Sequence, residues 1–330
     1  MSKPDAVAAI LWIGVTLYAV FAGADFGAGM WDLLAGRGER GERARALIDH
    51  SIAPVWEANH VWLIFALVVL WTAFPPAFSA VMSTLYIPLS LAALGIVLRG
   101  SGFAFRHALP GRLRGPATRV FGVSSLVTPF FMGTVAGAVA SGEVPAEGGG
   151  DATSSWTGAL PLTTGLLFVA TCAYLAAVFL VRDAGAARDA ELRRYFTRRA
   201  LAAAVIAGVA ALGGVIALHA EARFVYDGLT GDGLPLLILS AACGLGALGL
   251  LARGRAGGVR AAAVGAVMAV LWGFFVALHP YMLPESLTIE DAAGAGATLT
   301  SVIVVFAIAG AVCLPALALL YLLSQRRALE

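Results

Sequence analysis

The chain has 330 residues, of which 60% are hydrophobic and only 13% charged, with a formal net charge of +2. Soluble domains carry roughly 25% charged residues, so this composition excludes a water-covered globule and requires lipid as solvent. Its three cysteines (Cys172, Cys243 and Cys313) each sit alone in an apolar run, which excludes a paired redox motif or a Cys-based metal site by spacing.

A bilayer core takes about 20 apolar residues to cross. Nine segments qualify in chain order: about 6–34, 52–74, 79–99, 120–140, 161–181, 200–220, 235–252, 261–279 and 299–323. The first is followed, not preceded, by its arginines (Arg37, Arg40, Arg43, Arg45), which is the wrong polarity for a cleaved signal peptide. The loops after spans 1, 3, 5 and 7 hold 4, 5, 6 and 3 basic residues, and Arg326 and Arg327 bring that side to 20 of the 22. The opposite side carries Lys3, Arg223, an acidic glycine-rich loop over 141–157 and the cluster at 285–291. The positive-inside rule then puts the N-terminus outside and the C-terminus in the cytoplasm. These basic loops are explained by membrane orientation and need no nucleic-acid partner. The expected fold is an all-α, polytopic integral membrane protein of about nine transmembrane helices. It forms one membrane domain, arranged as two four-helix bundles plus one helix, with pseudo-halves near 1–150 and 151–330.

Three acids fall inside these apolar segments, where a charge costs from about 2.5 to over 10 kcal/mol. Asp25 sits roughly 16 Å from the basic end of span 1, taking 1.5 Å per residue. Asp32 follows seven residues later, on nearly the same face. Gly23, Gly27 and Gly29 interleave with them and allow a neighbouring backbone to approach. Glu57 opens span 2 just after Pro54, where the helix dipole favours a carboxylate, and His60 shares its face. Either residue suits proton collection at the inner surface; for His60 a hydrogen-bonding role, a proton relay and ligation of a metal or haem all remain open. Arg99 and Arg106 close span 3 and are candidate charge partners for Glu57 or Asp32. His219 and His279 lie at outer span ends, where an interfacial role suffices.

Four stretches in order carry a resemblance: "DFGAGM" in span 1, "SIAPVWEANHVWL" opening span 2, "LRGSGFAFR" closing span 3 and "HPYMLPESLTIEDA" after span 8. Together they resemble subunit II of the cytochrome bd-type quinol oxidases. The resemblance implies a terminal respiratory oxidase of the bacterial cell membrane that oxidises quinol and reduces dioxygen to water. It also implies that haem b and haem d belong to the larger subunit I. Subunit II would be a companion holding no cofactor tightly, apart from a bound quinone in some members, with a small single-helix subunit as a further partner. By the same resemblance Asp25 matches the span 1 aspartate, and Glu57 stands where other members have aspartate. His60 replaces a glutamine found in some members, and Arg99 and Arg106 match the closing arginines. Glu57 and His60 would form the cytoplasmic mouth of a proton path, with Asp25 a deeper station and Asp32 on the same ladder. No residue of this chain is expected to be directly catalytic or to bind a metal. Two competing classes share the intramembrane acids: a proton-coupled transporter built of two halves, and a purely structural membrane subunit.

Overall fold

The computed structural model describes residues 2–36, 38–52, 56–108, 114–255 and 257–325. Helix α1 (Lys3–Leu33) begins in a capping box. The Ser2 hydroxyl accepts from the Asp5 N–H, the Asp5 carboxylate accepts from the Ser2 N–H, and Pro4 occupies the first turn. A short loop leads to α2 (Glu39–Ile52), a charged helix outside the apolar spans. Next come α3 (Trp56–Ala73), α4 (Pro75–Thr84), α5 (Tyr86–Ala108) and α6 (Arg114–Ala140). The one-turn α7 (Ser154–Thr157) precedes α8 (Ala159–Ala186), α9 (Ala190–Glu221) and the short amphipathic α10 (Arg223–Thr230). Helices α11 (Leu234–Ala252) and α12 (Val259–Leu278) follow. An antiparallel hairpin, β1 (Tyr281–Leu283) with β2 (Leu287–Thr288), then leads into α13 (Gly296–Gln325).

Among the described residues eight helices are long and apolar enough to cross a bilayer, and a bent pair, α3 with α4, brings the count to nine if it is taken as one span. That pair corrects two expected boundaries. Residues 79–84 do not begin the third span; they belong to α4, which turns away from α3 by 116°. The cause is local. Pro75 and Pro76 lack N–H donors, and the residue before a proline is pushed out of the α region, as Phe74 is at φ −134° and ψ 60°. The third span therefore starts at Tyr86. The molecule is an all-α, multi-pass membrane protein.

Helix α1 is central and packs against α3, α6, α8 and α12. Its glycines make this possible. A Cβ on Gly27 would overlap the carbonyl of Cys172 on α8, and one on Gly29 would overlap the Ser125 hydroxyl on α6. The main core lies between α1, α6, α8, α9 and α12, around Phe121, Leu175, Leu180 and Phe196. By contrast α9, α11 and α13 turn Val205, Val209, Leu212, Leu245, Val305 and Ile308 outward, all more than half exposed, as a lipid-facing surface requires. The arginine-rich ends of the spans gather at one edge, called the basic edge below.

Candidate functional site: a buried acid and arginine ladder

The two aspartates of α1 meet the two arginines of α5. Arg99 Nη2 donates to Asp25 Oδ1 at 2.6 Å, and Arg106 Nη1 donates to Asp32 Oδ2 at 2.9 Å. Both acids and both arginines are buried, with Asp25 and Arg99 at 3% and 2% exposure and Asp32 at 0%. The match follows from spacing. Asp25 and Asp32 are seven residues apart, Arg99 and Arg106 likewise, so two turns on each helix carry one rung onto the next.

Helix α6 supplies the rest of the frame. The Phe121 ring lies beneath both guanidinium groups, 4.8 Å from Arg99 and 4.2 Å from Arg106. Phe26 faces Arg99 from α1 at 5.2 Å, and Phe103 faces Arg106 at 5.0 Å. Arg99 Nε also donates to the Ser125 hydroxyl at 3.1 Å, and that hydroxyl donates back to the Phe121 carbonyl at 2.7 Å. Such rings suit a weakly hydrated, planar cation better than an ammonium.

At the basic edge the lower rung widens. Arg106 Nη2 also pairs with Asp49 of α2, and Arg45 Nε approaches Asp32 Oδ1 at 3.6 Å. Helix α2 is fastened on its other side too. Ser51 donates to Asp183 at 2.8 Å, and Arg43 pairs with Asp189 at 2.7 Å and Glu191 at 3.1 Å. Asp189 caps α9, and the Leu192 N–H is the main cause holding its carboxyl below the usual range, with Arg43 adding to it. One oxygen on each ladder acid, Asp25 Oδ2 and Asp32 Oδ1, is buried without a hydrogen-bond donor among the described residues.

Two contacts place the span 2 residues relative to α1. Asn59 of α3 donates to the Phe21 carbonyl at 3.4 Å, and Gly14 abuts Phe65 and Ala66. These two contacts fix the antiparallel register of α1 and α3. They place helix position 57 level with Gly23 to Asp25, about 15 Å from the basic end of α1 at 1.5 Å per residue. Helix position 57 is thus level with the deeper rung, and the Glu57 side chain lies outside the described residues. His60 is half-buried one turn further on and has interaction partners of its own. Arg99, offered on sequence as a partner of Glu57 or Asp32, is instead paired with Asp25.

Three participants escaped the sequence reading: Asp49, Ser125 and Phe121. Asp49 sits in the loop between spans 1 and 2, outside the apolar segments. Ser125 and Phe121 look like ordinary span residues until the arginines are placed. The repeated seven-residue spacing was the available signal for the pairing itself.

No three His, Cys, Asp or Glu side chains converge among the described residues. His219 lies 2.6 Å from Arg223, and His279 lies 3.5 Å from Asp5.

Comparison with known proteins agrees on one family. The family model described as cytochrome bd terminal oxidase subunit II matches residues 4–324. A Bacillus subtilis (strain 168) protein, provisionally described as a cytochrome bd menaquinol oxidase subunit II, is 24% identical over 235 residues, or 68% of this chain and 64% of the relative. Subunit 2 of the Escherichia coli (strain K12) cytochrome bd-I ubiquinol oxidase is 33% identical over 135 residues, 40% of this chain and 35% of the relative. The chain therefore aligns with less than two thirds of the length of these curated relatives. A chain from the structure of the bd oxidase of Geobacillus thermodenitrificans matches with TM-score 0.78 and 25% identity, over 97% of this chain and 98% of that one.

Proposed function

The chain belongs to the cytochrome bd terminal oxidase subunit II family, and from that premise we propose that it is the companion subunit of a quinol:oxygen oxidoreductase whose haems are held by a larger subunit I. The haems, when present in that partner, supply the electron transfer and the oxygen chemistry. This chain's own task is to brace the partner and to carry protons inward from the cytoplasm, which lies at the basic edge. The two halves near 1–150 and 151–330 form the framework, with α1 and α8 packed at its centre.

The observation that carries the proton role is the two-rung ladder. Asp32, Asp49, Arg45 and Arg106 form a cluster at the edge, and Asp25 with Arg99 lies about 10 Å deeper by helical rise. In each rung a guanidinium hydrogen-bonds one carboxylate oxygen, and the other accepts no hydrogen bond among the described residues, although Arg45 approaches that of Asp32. The ten-ångström step exceeds a hydrogen bond, so transfer between rungs passes through intervening water or hydroxyl groups. Glu57, at the depth of Asp25 on the neighbouring helix, is the second deep carboxylate. His60 is the relay beside it.

The test is turnover in the assembled complex. Glu57→Gln slows quinol-driven oxygen uptake while the haem content per complex stays at the wild-type level. Full activity in an assembled Glu57→Gln complex contradicts the proton role. A second reading has its own support: the close, fully buried Arg99 and Asp25 pair also clamps α1, α5 and α6 together. Loss of haem from the complex after Asp25→Asn, in place of slower turnover, favours that purely structural reading.

A further inference from the structure

Away from the ladder, the basic edge contains a cavity of about 610 Å³ where α8 and α11 end and α9 begins. Arg188, Arg193, Arg194 and Arg198 line it, and its floor is Leu201 and Leu251. A second hollow of about 330 Å³ adjoins it, sharing Arg194 and Arg198 and adding Arg40 and Arg199. We propose that this double cleft binds an anionic phospholipid, with the headgroup phosphate among the arginines and the acyl chains along the exposed apolar faces of α9 and α11.

Four observations support this assignment. First, the charge is uncompensated. Asp189 is the acid lining the larger cavity, and its oxygens are already taken by the N-terminal amides of α9 and by Arg43. Glu191, in the smaller one, is paired with Arg43. Among the described residues Arg188, Arg194 and Arg198 make no ion pair with any acid.

Second, one of these cations is held in an unusual place. Helix α8 ends in a paired turn, with Asp189 N–H on the Ala184 carbonyl and Arg188 N–H on the Gly185 carbonyl. Arg188 itself is left-handed, with φ +56°. Glycine ordinarily fills that position. A strained arginine there keeps a guanidinium at the rim of the cavity.

Third, a buried donor has no partner: Arg199 Nε is inaccessible and makes no hydrogen bond among the described residues, while its guanidinium stacks 3.4 Å from the Tyr195 ring. Fourth, the cavity continues into an apolar surface. Val205, Ile206 and Val209 on α9 and Leu245 on α11 are all more than half exposed beyond Leu201 and Leu251. Free phosphate would use the arginines and ignore this surface, whereas a phospholipid uses both. Planar guanidinium groups at the headgroup level are the chemistry that recognises phosphate oxygens.

The test uses the purified complex in mild detergent and photoactivatable phosphatidylglycerol, with photoactivatable phosphatidylcholine as the zwitterionic comparison of zero net charge. Crosslinked peptides are mapped on the wild-type protein, so the result does not depend on a variant folding. The phosphatidylglycerol crosslinks are expected in 184–201 and 250–255, exceeding those of phosphatidylcholine about tenfold and weakening in high salt. The R194Q/R198Q pair is expected to lower them about tenfold, and R119Q, which removes an exposed arginine of α6 at the same edge, to leave them unchanged. Equal labelling by both lipids, or labelling that R194Q/R198Q leaves intact, overturns the proposal. Complete displacement of the lipid by millimolar inorganic phosphate overturns the lipid source and leaves a phosphate site. Because the readout is lipid labelling, its failure leaves the oxidase reading standing.

Discussion

Replacing Arg99 by Met tests the energetics of the ladder. The substitution keeps the length and apolar stem of the side chain, and it leaves the Asp25 carboxylate at 3% exposure with no cation. Removing one partner of a buried pair costs about 3–5 kcal/mol, because the remaining charge is neither solvated nor matched. The two ring contacts of Arg99 add about 0.5–2 kcal/mol each when desolvated. Asp25→Asn is milder, since an amide oxygen still accepts from Arg99 at the same place. The double variant Asp25→Leu/Arg99→Met removes both charges, and apolar replacement of a buried pair is often neutral or stabilising. Membrane complexes unfold irreversibly, so the assay is the half-life of the monodisperse complex in detergent at a fixed elevated temperature. A tenfold change corresponds to about 1.4 kcal/mol on the barrier. Arg99→Met is expected to shorten the half-life by more than about tenfold, and the double variant to recover most of it. A single variant as durable as wild type, or a double variant as fragile as Arg99→Met, refutes the reasoning.

Other expectations follow from single contacts. Gly27→Ala places a methyl on the Cys172 carbonyl, so α1 and α8 must separate at a cost of about 1–3 kcal/mol, read as a shorter half-life in the same assay. Asp49→Asn removes the outer carboxylate of the edge cluster and slows proton uptake measured with a pH dye, with haem content unchanged; an unaltered rate excludes Asp49 from the path. Asp189 has its carboxyl lowered in the fold, so its hold on α2 is fully present above the ordinary carboxylate range and is lost as pH falls through the depressed value. The exchange protection of the α2 amides, corrected for the intrinsic pH dependence, should therefore be unchanged from neutral pH to about 5 and fall below about 4, the ordinary carboxylate range. A fall already at about pH 6, on the scale of a histidine, contradicts the assignment to Asp189.

The multi-pass fold was legible because apolar length and arginine placement are one-dimensional signals. The bend at Pro75 was not read, since an apolar run continues across it and hydropathy does not register a missing N–H. Asp25 and Asp32 were legible as intramembrane charges on one face of α1. The pairing of Arg106 with Asp32 was legible too, whereas that of Arg99 with Asp25 was not, because the sequence orders depth only by counting from a guessed edge. Asp49 was invisible for a related reason. It lies on a helix outside the spans, and only the folding of α2 across the basic edge brings it to Arg106.

The most direct measurement of the central claim is made on the tagged chain, purified from its native membranes in mild detergent. A reduced-minus-oxidised visible spectrum and quinol-driven oxygen uptake are recorded on the same sample. The account predicts haem bands, a co-purifying larger subunit and oxygen consumption. A folded chain that is colourless, solitary and inactive would contradict it.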